Sequence, residues 1–175
     1  DYSVSMTPAR EAVRRLIAEG ALMLSPSGRV STAELTNDRI EELAVMRSLI
    51  EVELSSRALP RAHTALIDRL KTINASVSQA ITTHNPVDYI RTNLEFHRML
   101  YLRAQAPAML AIAETVWLQL GPTMRSLYDK LIRKEPPHTH TAIIAALTAG
   151  DEPGLRLAVR SDVTPVSYTH LTLPT

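Results

Sequence analysis

Cysteine is absent from this chain of 175 residues, which removes disulfides, thiolate nucleophiles and cysteine-type zinc sites together. Any metal must therefore be held by histidine and carboxylate. Aromatic residues make up only 4% of the sequence, with one Trp and one Phe, so the core falls to Leu, Ile, Ala, Val and Met. With only five Gly, that composition favours helices over sheets. No apolar run approaches the roughly 20 residues of a membrane span, and the N-terminus carries no basic-then-apolar signal. The default reading is a soluble cytoplasmic protein with no membrane partner. A charge excess is missing too: the net charge is +1, so any nucleic-acid contact must come from a local cluster.

What is present is mostly helical periodicity. Ser5 or Thr7 can cap a first helix with Pro8 in its first turn. Ala9, Ala12, Val13, Leu16 and Ile17 supply its apolar face, and Gly20 ends it. Arg10 and Arg14 share another flank. Two short strand-like runs, Ala21–Leu24 and Arg29–Thr32, surround Ser25-Pro26-Ser27-Gly28 and predict a hairpin. A basic helix followed by a hairpin is the back half of a winged helix-turn-helix.

From Thr36 the texture is pure helix. The first run reaches about Leu59, with Ile40, Leu43, Ala44, Met46, Leu49, Ile50 and Leu54 as its buried stripe. Further helices are expected over Ala62–Thr83, Val87–Gln105, Ala108–Arg133 with a kink at Gly121-Pro122, His138–Ala149 and Glu152–Asp162. In the third of the six, Asn93 and His97 stand one turn apart on one face, beside the apolar pair Phe96 and Leu100. A polar pair next to an apolar stripe can reach into a bundle interior and collect further ligands there. The last ten residues, Val166–Thr175, look like one reading frame of a sequencing-adapter sequence. Residues 165–175 are therefore set apart as a non-native tail, and His170 is left out of the site. Together with the absent front half, this reads as a fragment cut at both ends.

In this order the features resemble the GntR family of bacterial transcription regulators, in the FadR-type subgroup with an FCD effector domain. The resemblance covers about residues 3 to 164. It rests on Val4-Ser5-Met6-Thr7-Pro8-Ala9-Arg10-Glu11-Ala12 continuing to Leu22, on Glu41-Glu42-Leu43 with Arg47 and Glu51, on Asn93-Leu94-Glu95-Phe96-His97, and on His140 to Ala146. Each motif alone is weak, but four in the right order at the right spacing are specific. The resemblance implies a mainly α chain in two parts. A truncated winged helix-turn-helix occupies 1–34, and an all-α antiparallel bundle of about six helices, the effector and dimerisation domain, occupies 35–164.

The resemblance also assigns roles. The helix from Thr7 would lie in a major groove. Ser5, Thr7 and Arg10 would meet phosphates or base edges, Arg14 would reach phosphate, and Ser27-Gly28 would approach the minor groove. Met6 departs from the family, which usually has Arg there. In the bundle, His97 and His140 match two histidine ligands of a divalent metal (Zn, Ni or Mn). Asn93 stands where the family has Asp, and Asp162 where it has the last His. The single carboxylate is thus kept but moved to another helix, and Asp162 binds directly or through a water. Arg47 is the candidate anchor for a small organic-acid effector; the other reading of Arg47 is an intrahelical ion pair with Glu51. Together these imply a homodimeric regulator, a repressor, acting on palindromic double-stranded operator DNA. Two competing readings stay open: a metal-dependent helical enzyme using His97 and His140, and a metal-free helical interaction module in which Asn93 and Asp162 satisfy the two histidines.

Overall fold

The computed structural model describes residues 6–132 and 139–164, excluding the side chains of Met6, 125–127 and 129–132. Ser5, His138 and residues 165–175 lie outside the described residues. The chain opens with helix α1 (Met6–Ala18) and a two-stranded antiparallel hairpin, β1 (Leu22–Leu24) and β2 (Val30–Thr32), in which Met23 faces Ser31. Gly20 makes the turn between them at φ +75°, a conformation that a side chain would strain. These elements form a small head.

The bundle follows as α2 (Asn37–Ala58), α3 (Thr64–Thr82), α4 (Pro86–Tyr101), α5 (Pro107–Ile132), α6 (Thr139–Ala149) and α7 (Glu152–Val163). Local chemistry sets the helix starts. The side chains of Thr36, His63, Asn85 and Asp151 each accept a hydrogen bond from a backbone N–H in the first turn, satisfying a donor that the helix itself cannot pair. Pro86 and Pro153 then occupy first-turn positions where no N–H is needed. The helix α4 stops earlier than the periodicity predicts, at Tyr101 instead of Gln105. A short 3-10 turn over Leu102–Ala104 follows, and Gln105 turns left-handed at φ +53°. Helix α5 continues through Pro122.

Helices α3 and α4 pack together, as do α6 and α7, while α2 runs between α5 and α7. The main core joins Leu54, Leu70, Phe96, Leu100, Ile143 and Leu155, among others. One expectation needs correcting. Leu49 is not in the buried stripe of α2 but 68% exposed, while Arg47, Glu51 and Ser55 are buried. The inward face of α2 is the 3–4-spaced row that carries an ion pair, so counting apolar residues alone misplaced it.

Candidate metal and effector site

Three helices send one ligand atom each to a common point. His97 on α4 and His140 on α6 bring their Nε2 atoms to 3.4 Å. Asp162 on α7 places Oδ2 at 2.8 Å from His97 Nε2 and Oδ1 at 3.8 Å from His140 Nε2. The three candidate ligand atoms lie within 4.8 Å of one another. The carboxylate therefore reaches the histidines directly. His97 is fully buried, His140 nearly so, and the Asp162 side chain is 9% exposed. Phe96 stacks on His140 at 3.9 Å between centroids and holds that ring's plane. Thr139, at the start of α6, hydrogen-bonds the other oxygen of Asp162.

The outer nitrogens decide what the inner ones can offer. Tyr101 donates its hydroxyl to Glu51 Oε2 at 3.0 Å, so its oxygen is left to accept from His97 Nδ1 at 3.1 Å. His140 Nδ1 lies 3.1 Å from Asn74 Oδ1, a carbonyl oxygen that can only accept. An imidazole that carries its one proton on Nδ1, as these partners allow at both histidines, aims an Nε2 lone pair inward. Two lone pairs and a carboxylate facing one another repel unless a cation lies among them. A proton on His97 meets that need, and so does a divalent metal. Two nitrogens bound tetrahedrally to zinc at ~2.0–2.1 Å lie about 3.4 Å apart, as the two Nε2 atoms do, whereas His97 Nε2 and Asp162 Oδ2 stand at a hydrogen-bond distance that an ion would have to widen. The donor set of two imidazoles and one carboxylate fits a divalent ion, with both histidines oriented from behind.

Burial, partly offset by the charge of Asp162, pushes His140 down to about 4. Burial works against ionising Asp162, but the charge and hydrogen bond of His97, then His140 and Thr139, outweigh it. That carboxyl is held well below the usual carboxylate range. The Tyr101 phenol is raised well above its ordinary value, chiefly by burial and then by the Glu51 charge. Two of these directions suit a cation site at neutral pH, since His140 keeps its lone pair and Tyr101 its proton, while that of Asp162 depends on a positive charge on His97 whose place a bound ion would take.

A second cluster stands behind His97. Glu51 is fully buried and accepts from Arg47 Nε at 2.6 Å, Trp117 Nε1 at 2.8 Å and Tyr101 Oη at 3.0 Å. The Arg47–Glu51 ion pair is therefore formed, though deep in the core and not on the surface. It reaches the candidate ligand His97 through Tyr101. Asn93 is buried one turn before His97, and its amide makes no hydrogen bond to another described residue. Glu95 points elsewhere, to Arg69 at 3.3 Å on the surface.

The FCD domain matches residues 42–164, spanning all three ligands. The chain belongs to the FCD domain family. It is 26% identical over 157 residues to the HTH-type transcriptional regulator McbR of Escherichia coli (strain K12), covering 87% of this chain and 71% of that protein. The E. coli McbR/YncC structure superposes with a TM-score of 0.82 at 22% identity, covering 96% of this chain and 87% of that one. A GntR family member from Pseudomonas syringae pv. tomato str. DC3000 gives 0.64 at 18% identity, over 96% and 70% of the two chains. Both share the fold of this FCD chain.

In the head of this FCD protein, Thr7, Arg10 and Arg14 lie exposed on α1, with Arg14 3.8 Å from Glu11. Ser27 and Gly28 form the exposed tip of the hairpin, where Gly28 takes φ +81° and its N–H bonds Ser25 O at 2.9 Å. Tyr101 was discoverable as the residue four beyond His97, and Glu51 as four beyond Arg47. Asn74 and Trp117 come from other helices and have no local pattern to announce them.

Proposed function

We propose that this chain is a ligand-responsive transcription regulator whose FCD bundle holds a divalent metal on His97, His140 and Asp162 and senses a small carboxylate metabolite there. The regulator class follows from its family and its relatives, which are transcription regulators and not enzymes. The observation that carries the site is the convergence of two inward lone pairs and one carboxylate from three helices. Zn, Ni and Mn all accept such a donor set. Asn93 adds a neutral carbonyl at most, so affinity sits below that of a site with two carboxylates. When bound, the ion supplies positive charge that attracts an acid effector. Arg47 would hold the effector's carboxylate, drawing its guanidinium away from Glu51.

The head, 1–34, reads operator DNA in this account, and the bundle, 35–164, binds effector and a second copy. Ser5, Thr7, Arg10 and Arg14 would face the major groove, and Ser27 with Gly28 the minor groove. The regulator acts as a repressor in the cytoplasm. Val45 and Leu49, one turn apart and exposed on α2, are surface that a second copy would cover. No described helix is long and apolar enough to cross a membrane.

Thermal shifts against a panel of sugar acids and short-chain acids test this reading, each run with and without added Zn²⁺ or Ni²⁺. An effector raises the melting temperature by mass action, and only with metal present. Stabilisation that ignores metal would contradict the metal-centred pocket.

A further inference from the structure

The head and the bundle touch sparsely, yet a hydrogen bond and an apolar pocket join them at α5. Gln119 is its fixed point. Arg39 Nη2 on α2 donates to Gln119 Oε1 at 3.0 Å, and Gln119 Nε2 donates to the Glu19 carbonyl at 3.0 Å. The amide can stand only this way round, because a guanidinium only donates and a carbonyl only accepts. Glu19 follows the last residue of α1, and Gly20 comes so close that a side chain there would meet Gln119 at 3.3 Å. Beside this latch lies an apolar pocket of about 400 Å³, open on one side and lined by Leu16, Ala21 and Leu22 of the head and by Leu94, Trp117 and Leu118 of the bundle.

Trp117 belongs to both regions. Its ring walls the junction cavity, while its indole N–H donates to Glu51 Oε1, the same oxygen that binds Arg47 Nε. Among the described residues, Trp117 both bonds Glu51 and lines the head's seat. The floor of the seat also carries the two residues of α5 that support a helix least. Gly121 and Pro122 line the cavity, one without a side chain and the other without an N–H to close a helical hydrogen bond.

We propose that Trp117 and Gln119 form a mechanical link in which any change at Glu51 alters how the head docks on the bundle. The inference rests on the regulator reading above and supplies its transmission step. An acid that competes with Glu51 for Arg47 moves the Glu51 carboxylate. The indole that it anchors tilts, the cavity wall shifts, and the Gln119 latch on α1 lengthens or breaks. Trp117 and Gln119 are positioning residues here; neither touches metal or effector.

Amide hydrogen exchange on the purified chain tests the link in Trp117→Phe, which keeps a ring but loses the donor, and in Gln119→Ala, which removes the latch. Without metal, both variants should raise exchange across residues 16–33 by about threefold or more while leaving α6 and α7 protected. Head exchange equal to that of the starting protein in both variants would overturn the proposal. With Zn²⁺ alone as probe, the starting protein should change its head exchange on binding, and Trp117→Phe should bind Zn²⁺ but lose that change. A full response in Trp117→Phe would also overturn it. Should Trp117→Phe fail to fold, Gln119→Ala decides. Should calorimetry show no Zn²⁺ binding to the starting protein, the metal reading fails, and the metal-free comparison still decides the link.

Discussion

The head and the bundle place their functional polar groups in opposite ways. Thr7, Arg10 and Arg14 stand in solvent on α1, where each costs nothing to expose and any one can change alone. His97, His140, Glu51 and Arg47 are buried, and each relies on another for its hydrogen bonds or charge. In the proposed reading, the surface charge cluster would serve a partner that arrives from outside and the buried cluster a small ligand admitted inside; the members of the buried cluster cannot be altered independently. The two regions should therefore respond very differently to substitution.

The largest effect is expected from Glu51→Ala. It removes the buried anion that Arg47, Trp117 and Tyr101 all bond, a type of loss that costs about 3–5 kcal/mol. Urea unfolding should show it; a cost under about 1 kcal/mol would mean that the cluster relaxes toward solvent. Next comes Tyr101→Phe, which takes away the acceptor that orients His97. Metal affinity should fall about 10–100-fold while the helical content holds, as read by calorimetry and circular dichroism. Asn93→Asp works in the other direction: a second carboxylate beside His97 should tighten metal binding by about tenfold. Unchanged affinity would place Asn93 outside the coordination sphere. The smallest structural effect belongs to Arg14→Ala in the head. It should leave the melting temperature in place and, in operator binding, reduce the slope of log affinity against log salt by about one.

The comparison also explains what could be read beforehand. Helix starts were readable because Thr36, Asn85-Pro86 and Asp151 carry their capping chemistry locally. His97 and Asp162 were readable because a motif order placed them, and geometry then brought them to hydrogen-bond distance. The arginines of α1 were readable because a solvated helix face needs no partner to be recognised. Leu49 misled because the inward face of α2 is paved with an ion pair, which an apolar count treats as outward. Asn74, Trp117 and Gln119 escaped entirely: each meets its partner across 66 or more residues of chain, and no spacing rule joins them. Asp162 shows a middle case. Its position was suggested by order along the chain, yet whether a short carboxylate could reach His97 depended on how closely α7 packs under α4 and α6.

The central claim is that two imidazole lone pairs and one carboxylate converge to hold a divalent cation. Calorimetric titration of the metal-stripped chain with Zn²⁺ and Ni²⁺, alongside His97→Ala, tests it most directly. The account predicts stoichiometric, saturable binding that releases when His97 is removed, with the variant still folded. Equal heats in both proteins, or none in either, would contradict it and leave His97 and His140 as core residues satisfied by Asp162 and Asn74.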